Sequence, residues 1–97
     1  MTYGISDIVG DKRDALLQLT QRYGISNVRV FGSVARGEAT SQSDIDLLVE
    51  GLETLPWGGG RLQIELQLLL GRQVDLVGEQ DLHPLIRARV LTEAVAL

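Results

Sequence analysis

Apolar residues recur at helical spacing near the start of the chain, with Ile8, Ala15, Leu16, Leu19 and Tyr23 on one stripe of residues 7–23. Ser6 is placed to cap that helix, Asp7 falls in its first turn and Gly24 stops it. Residues 27–31 alternate instead, with Val28 and Val30 on one face of a strand. Residues 32–43 are small and polar, the composition of a loop with a short helical turn. Residues 44–50 read as a second strand closed by Gly51. Pro56 and three consecutive glycines make residues 54–60 a loop. Leu62, Leu66, Leu69 and Leu70 mark a second helix over residues 61–70, stopped by Gly71. A third strand follows at 73–77. Pro84 suits the first turn of a last helix carrying Leu85, Ile86, Val90 and Leu91. Residues 94–97 either extend that helix or add a short edge strand. The order α-β-loop-β-α-β-α predicts an α/β fold of the two-layer α+β kind, a short mixed sheet covered by helices on one face.

The second strand carries chemistry as well as core. Side chains alternate between the faces of a strand, so Asp44 and Asp46 share one face while Ile45, Leu47 and Val49 share the other. Two neighbouring carboxylates repel unless a cation lies between them. Magnesium takes few carboxylates and keeps its other positions for water and phosphate oxygens, which suits a metal–triphosphate complex. Asp75, between Val74 and Leu76, repeats the pattern on the third strand. Three such carboxylates on neighbouring strands could hold two metals, one activating a hydroxyl and one neutralising pyrophosphate. After the first strand comes Phe31-Gly32-Ser33-Val34-Ala35-Arg36-Gly37. Gly32 permits close backbone approach, and Ser33 offers a hydroxyl and an N–H at the start of a turn, a natural phosphate seat. No Gly-Lys-Ser/Thr follows, so this is not a P-loop. Taken singly, each feature has an ordinary structural reading, as a solvated strand edge, a turn or an exposed acid. Their order and their placement after strands set them apart.

Composition narrows the substrate. Ninety-seven residues, 44% hydrophobic and 23% charged, suit one globular domain over residues 1–97. There are no cysteines, hence no disulfides or thiolate metal sites. No apolar run has the length of a membrane span and no signal-peptide core opens the chain, so a cytoplasmic address is expected. Thirteen acids outnumber nine scattered Lys and Arg, for a net charge of −4. A long nucleic acid, which needs a basic stripe, is therefore not the expected substrate. A nucleoside triphosphate brought in with metal ions is.

Gly32-Ser33, ten intervening residues and Asp44-Ile45-Asp46 together resemble the signature of the DNA polymerase β-like nucleotidyltransferase superfamily. The stretch from Val28 to Gly37, Ser43 to Val49, Gly71-Arg72-Gln73-Val74-Asp75-Leu76-Val77 and the closing Leu85-Ile86-Arg87 to Glu93-Ala94 resemble its minimal nucleotidyltransferase branch over nearly the whole chain. The resemblance implies the nucleotidyltransferase fold, with Asp44 and Asp46 as metal ligands and Asp75 activating the acceptor hydroxyl. It also implies that Gly32 and Ser33 contact the triphosphate of ATP. Arg36 either assists there or pins the loop by pairing with an acid, and Ser43 suits a structural role. Minimal members of the superfamily act as antitoxins beside a HEPN-domain toxin, moving AMP from ATP to a tyrosine hydroxyl with magnesium. Larger members carry another domain for the acceptor, and in 97 residues there is no room for one, so a protein acceptor that brings its own surface is expected. Two other classes stay open: a binding module that neutralises its partner by contact, and a small-molecule transferase of the aminoglycoside-modifying kind. An exposed helix face could also join two copies. His83 before Pro84 reads as a helix entry rather than a ligand. Trp57, before Gly58-Gly59-Gly60, either packs on the second helix, stacks on a base or anchors a partner.

Overall fold

The computed structural model describes all 97 residues. Four strands form one sheet in the order β3-β2-β1-β4. They are β1 (Ser26–Phe31), β2 (Ile45–Glu50), β3 (Val74–Gly78) and β4 (Val95–Ala96). Strands β1 and β2 are antiparallel, β2 and β3 parallel, and β4 closes on β1 antiparallel. The mixed sheet is therefore as the sequence pattern predicts, and the last residues form the edge strand rather than a longer helix. The helices are α1 (Ile5–Ile8), α2 (Arg13–Arg22), α3 (Gly32–Ala35), α4 (Gly60–Leu70) and α5 (Pro84–Glu93). None is long and apolar enough to cross a membrane.

Leu16 and Leu19 of α2 and Leu62, Leu66 and Leu70 of α4 pack on Val30, Ile45, Leu47, Val49 and Val74. Within β2 these residues alternate, and Val30 pairs with Leu47 and Val74 with Ile45, so a single face of the sheet takes the main core. Fully burying each of these aliphatic side chains contributes about 1.5–3 kcal/mol. The parallel pairing of β2 and β3 needs a crossover, and α4 supplies it. Two glutamines of α4 then fix the start of β3: Gln63 Nε2 donates to Val74 O at 2.7 Å, and Val74 N donates to Gln67 Oε1 at 3.1 Å.

Four details depart from the sequence reading. The first helix is broken at Gly10, whose φ of +49° leaves helical space, so α1 and α2 are separate and a short 3-10 turn joins them. Ser6 is not the cap: Gly4 is, and its N–H donates to Asp7 Oδ2 at 2.8 Å. Ala15 faces solvent, because the register of α2 turns Leu16, Leu19 and Thr20 inward. Finally, the sheet is not covered on one face alone. Leu48, of opposite parity to Leu47, joins Leu82 and Val90 in a second small core, with Phe31, Val77 and Ala94 against it. That core seats α5 beside the carboxylate face. Of the apolar residues predicted to bury α5, only Val90 is buried, while Leu85, Ile86 and Leu91 are exposed.

Candidate active site

The carboxylates gather at one end of the sheet, where β1 ends and the parallel pair β2 and β3 begins. Asp46 lies in register with Asp75 on one side and with Phe31 on the other. Asp44 stands just before β2, exposed, as Asp75 is, while Asp46 is half-buried. The loop carrying Asp44 is tied down from below. Arg72 Nη1 donates to Thr40 O at 2.7 Å and to Ser43 O at 2.9 Å, and Thr40 N donates to Ser43 Oγ at 2.8 Å. Ser43 thus closes the turn. Ile45 N donates to Gln73 O at 2.9 Å, setting β2 against the start of β3.

Gly32 follows Phe31 and so arrives directly beside Asp46. A Cβ built on it would stand 2.2 Å from Asp46 Oδ2, and its φ is +75°. Both facts select glycine: the conformation disfavours a side chain, and the carboxylate occupies the space one would need. Ser33 and Val34 continue into the single turn of α3. Val34 is fully buried and anchors it, leaving Ser33 half-buried at the carboxylate end.

A fourth carboxylate reaches the same place. Glu93, the last residue of α5, accepts from Gly32 N–H at 2.8 Å through Oε2 and from Arg36 Nη1 at 2.5 Å through Oε1. Arg36 Nε also donates to Glu38 Oε2 at 3.1 Å. Arg36 is therefore paired with two acids, and these bonds hold its own pKa above the ordinary arginine value. Burial works to raise the Glu93 carboxyl, but the bonds from Arg36 and Gly32 and the charges of Arg36 and Arg89 outweigh it and leave it below its usual value.

Asp46 shows the opposite. Burial first, then the charges of Asp75, Asp44 and Glu93, push its carboxyl up to about 6, with Arg36 opposing. Burial leads, and the neighbouring negative charges that add to it are what a cation would relieve. As the side chains stand, no group of three His, Cys, Asp or Glu is arranged to hold a metal ion. The donor set fits magnesium in its chemistry and in its placement on neighbouring strands.

The other features of the sequence lie away from this end. Trp57 is 95% exposed, so it does not pack into the core against α4; it lines a shallow cleft with Tyr23, Leu55 and Arg61. Its φ of +58° and that of Gly58 at +62° turn the chain back toward Gly59 and the start of α4. His83 caps α5, with Nδ1 accepting from Leu85 N–H at 3.1 Å. A cleft of about 360 Å³ at the far end of β2 is lined by Glu50, Glu53, Glu79 and Arg87 among others and holds none of the three aspartates.

The nucleotidyltransferase domain model matches residues 12–97. The chain belongs to the nucleotidyltransferase family. Among its relatives is the protein adenylyltransferase MntA of Thermococcus cleftensis, 41% identical over 80% of each chain. A solved structure described as a proposed minimal nucleotidyltransferase superimposes with a TM-score of 0.78 at 49% identity, covering 89% of both chains. A mutant form of the toxin–antitoxin complex MntA–HpeT matches with a TM-score of 0.71 at 26% identity, over 88% of this chain and 70% of that one.

In this nucleotidyltransferase the sequence pattern picks out Gly32, Ser33, Asp44, Asp46 and Asp75, and the fold puts Gly32 and Asp75 on either side of Asp46. It passes over Glu93 as a site residue, along with Arg72, Gln63 and Gln67. Glu93 is one acid among thirteen, in a segment noticed only for its overall likeness to the family. Its reach depends on β4 pairing with β1 through Arg29↔Ala96 and Val30↔Val95, a contact across more than sixty residues that no local pattern reveals.

Proposed function

We propose that this enzyme transfers AMP from ATP, with magnesium, to a hydroxyl on a HEPN-domain toxin, tyrosine by resemblance, and so acts as its antitoxin. The observation that carries the reading is the register of Asp46 beside Asp75, with Gly32 pressed against Asp46 from the other side. Asp44, Asp46 and Asp75 would hold the magnesium ions, which when bound neutralise the triphosphate and favour ionisation of the attacking hydroxyl. Asp75, exposed at the rim, would accept the hydroxyl proton as the acceptor approaches. The Gly32-Ser33 turn seats the triphosphate, with Ser33 supplying N–H and hydroxyl donors to the phosphate oxygens. Arg36 holds that turn through Glu93 and Glu38 rather than reaching for phosphate.

Three things support a protein acceptor. Asp44 and Asp75 stand exposed at the rim of the site, the relative in Thermococcus is named a protein adenylyltransferase, and MntA is solved in a toxin–antitoxin complex. An open site lets a macromolecular acceptor present its own hydroxyl. Stoichiometry tests the reading against neutralisation by contact. With ATP and magnesium, one copy should inactivate many copies of the toxin partner. Inactivation that stops at one partner per copy, with or without ATP, would contradict it.

A further inference from the structure

We propose that Glu93 is a positioning residue for AMP transfer, a clamp that fixes the Gly32-Ser33 turn against Asp46 by binding Gly32 N–H and Arg36 at once. This deepens the reading above and rests on it. One oxygen of the Glu93 carboxylate accepts from Gly32 N–H at 2.8 Å and the other from Arg36 Nη1 at 2.5 Å. The side chain is only 18% exposed, and such charge-assisted, two-ended bonds are among the stronger ones available to a carboxylate. The two residues it grips bracket α3: Gly32 begins the turn and Arg36 caps its end. The clamp is held from behind, because β4 begins two residues after Glu93 and pairs with β1, the strand that delivers Gly32. Turn and clamp are thus registered on the same strand.

The position matters because Gly32 has no room to drift toward Asp46, whose Oδ2 already fills the place of a Cβ. Glu93 prevents drift the other way. With the Gly32 N–H committed to Glu93, Ser33 is left as the turn's donor to phosphate, and Gly32 serves by its lack of a side chain.

The same contacts admit an opposite role, in which Glu93 stands in the triphosphate's place and must leave before ATP binds. The two differ in sign. Glu93→Ala and Glu93→Gln are compared with the wild-type chain for transfer to the toxin partner, for binding of magnesium–ATP by calorimetry, and for amide hydrogen exchange at residues 32–36. As a clamp, Glu93→Ala lowers kcat by about 100-fold, the loss expected from misplacing a reacting group by about 1 Å. It weakens ATP binding or leaves it unchanged, and speeds exchange at Gly32. Glu93→Gln, whose amide oxygen can still accept from Gly32 N–H, recovers most of kcat and of the protection. Tighter ATP binding with undiminished kcat in both variants would overturn the clamp, as would unchanged exchange at Gly32 in Glu93→Ala. If the wild-type chain transfers nothing to the partner, the reading of the function fails, while exchange and binding still decide whether Glu93 holds the turn.

Discussion

Asp46 is the residue on which the site turns. It is squeezed between the backbone of Gly32 and the charge of Asp75, and it is the carboxylate whose ionisation the surroundings oppose. Its ordinary carboxyl value is 3.8 and in the folded chain it is about 6, so the folded state holds this proton more tightly than the unfolded state. Stability from this group is fully present below about pH 4 and is lost as pH rises through about 6. Asp46→Asn carries no such loss. In metal-free protein its stability relative to wild type should therefore grow between about pH 4 and pH 6 and then level off. The gain should be about 1 kcal/mol, discounted from the full shift because the carboxylate is only half-buried. Thermal unfolding across that pH range checks this, and a constant or shrinking difference would speak against it. Gly32→Ala should behave differently, costing about 1–3 kcal/mol for a side chain at positive φ and displacing Asp46 as well. Its transfer activity should be lost even where circular dichroism shows the fold retained. The aspartates and Gly32 were legible in the sequence because strand alternation and a glycine after a strand are local signals. Glu93 was not, since nothing near it in the chain says that it touches Gly32.

At the scale of elements, periodicity located every long helix and the three longer strands, left β4 open between strand and helix, and misjudged some faces. The apolar stripe of α4 is buried at Leu62, Leu66 and Leu70 as its spacing implies. The stripe on α5 is not, because this helix meets the sheet only where Leu48 emerges between the charged positions. Apolar spacing reports that a face exists, and only the partner element decides whether it is covered. The contrast is measurable. Leu66→Ala should cost about 2–5 kcal/mol, as large-to-small changes in a packed core do. Leu85→Ala, at a side chain 87% exposed, should stay within about 0.5 kcal/mol. Chemical denaturation of the two variants separates them, and a large loss in Leu85→Ala would mean that α5 is seated more deeply than described. The break at Gly10 was also missed, since a glycine within an otherwise helical run does not announce whether it will take positive φ.

For the whole molecule, the order of elements was enough to predict the mixed sheet, and the family match over residues 12–97 agrees with it. What the order could not supply was the return of the chain after α5. Strand β4 brings the C-terminal segment back to the outer edge of β1 and carries Glu93 to the far side of the site from β3. Asp75 arrives from one edge of the sheet and Glu93 from the other, with Asp46 between them. The central claim is that this arrangement moves AMP from ATP onto a partner protein. The most direct measurement is intact-mass spectrometry of the neighbouring gene's product after incubation with this enzyme, ATP and magnesium. The account predicts a gain of one or more AMP masses, abolished when Asp44→Asn and Asp46→Asn are introduced together into an otherwise folded chain. A partner bound tightly but unchanged in mass, or a gain that survives the double substitution, would contradict it.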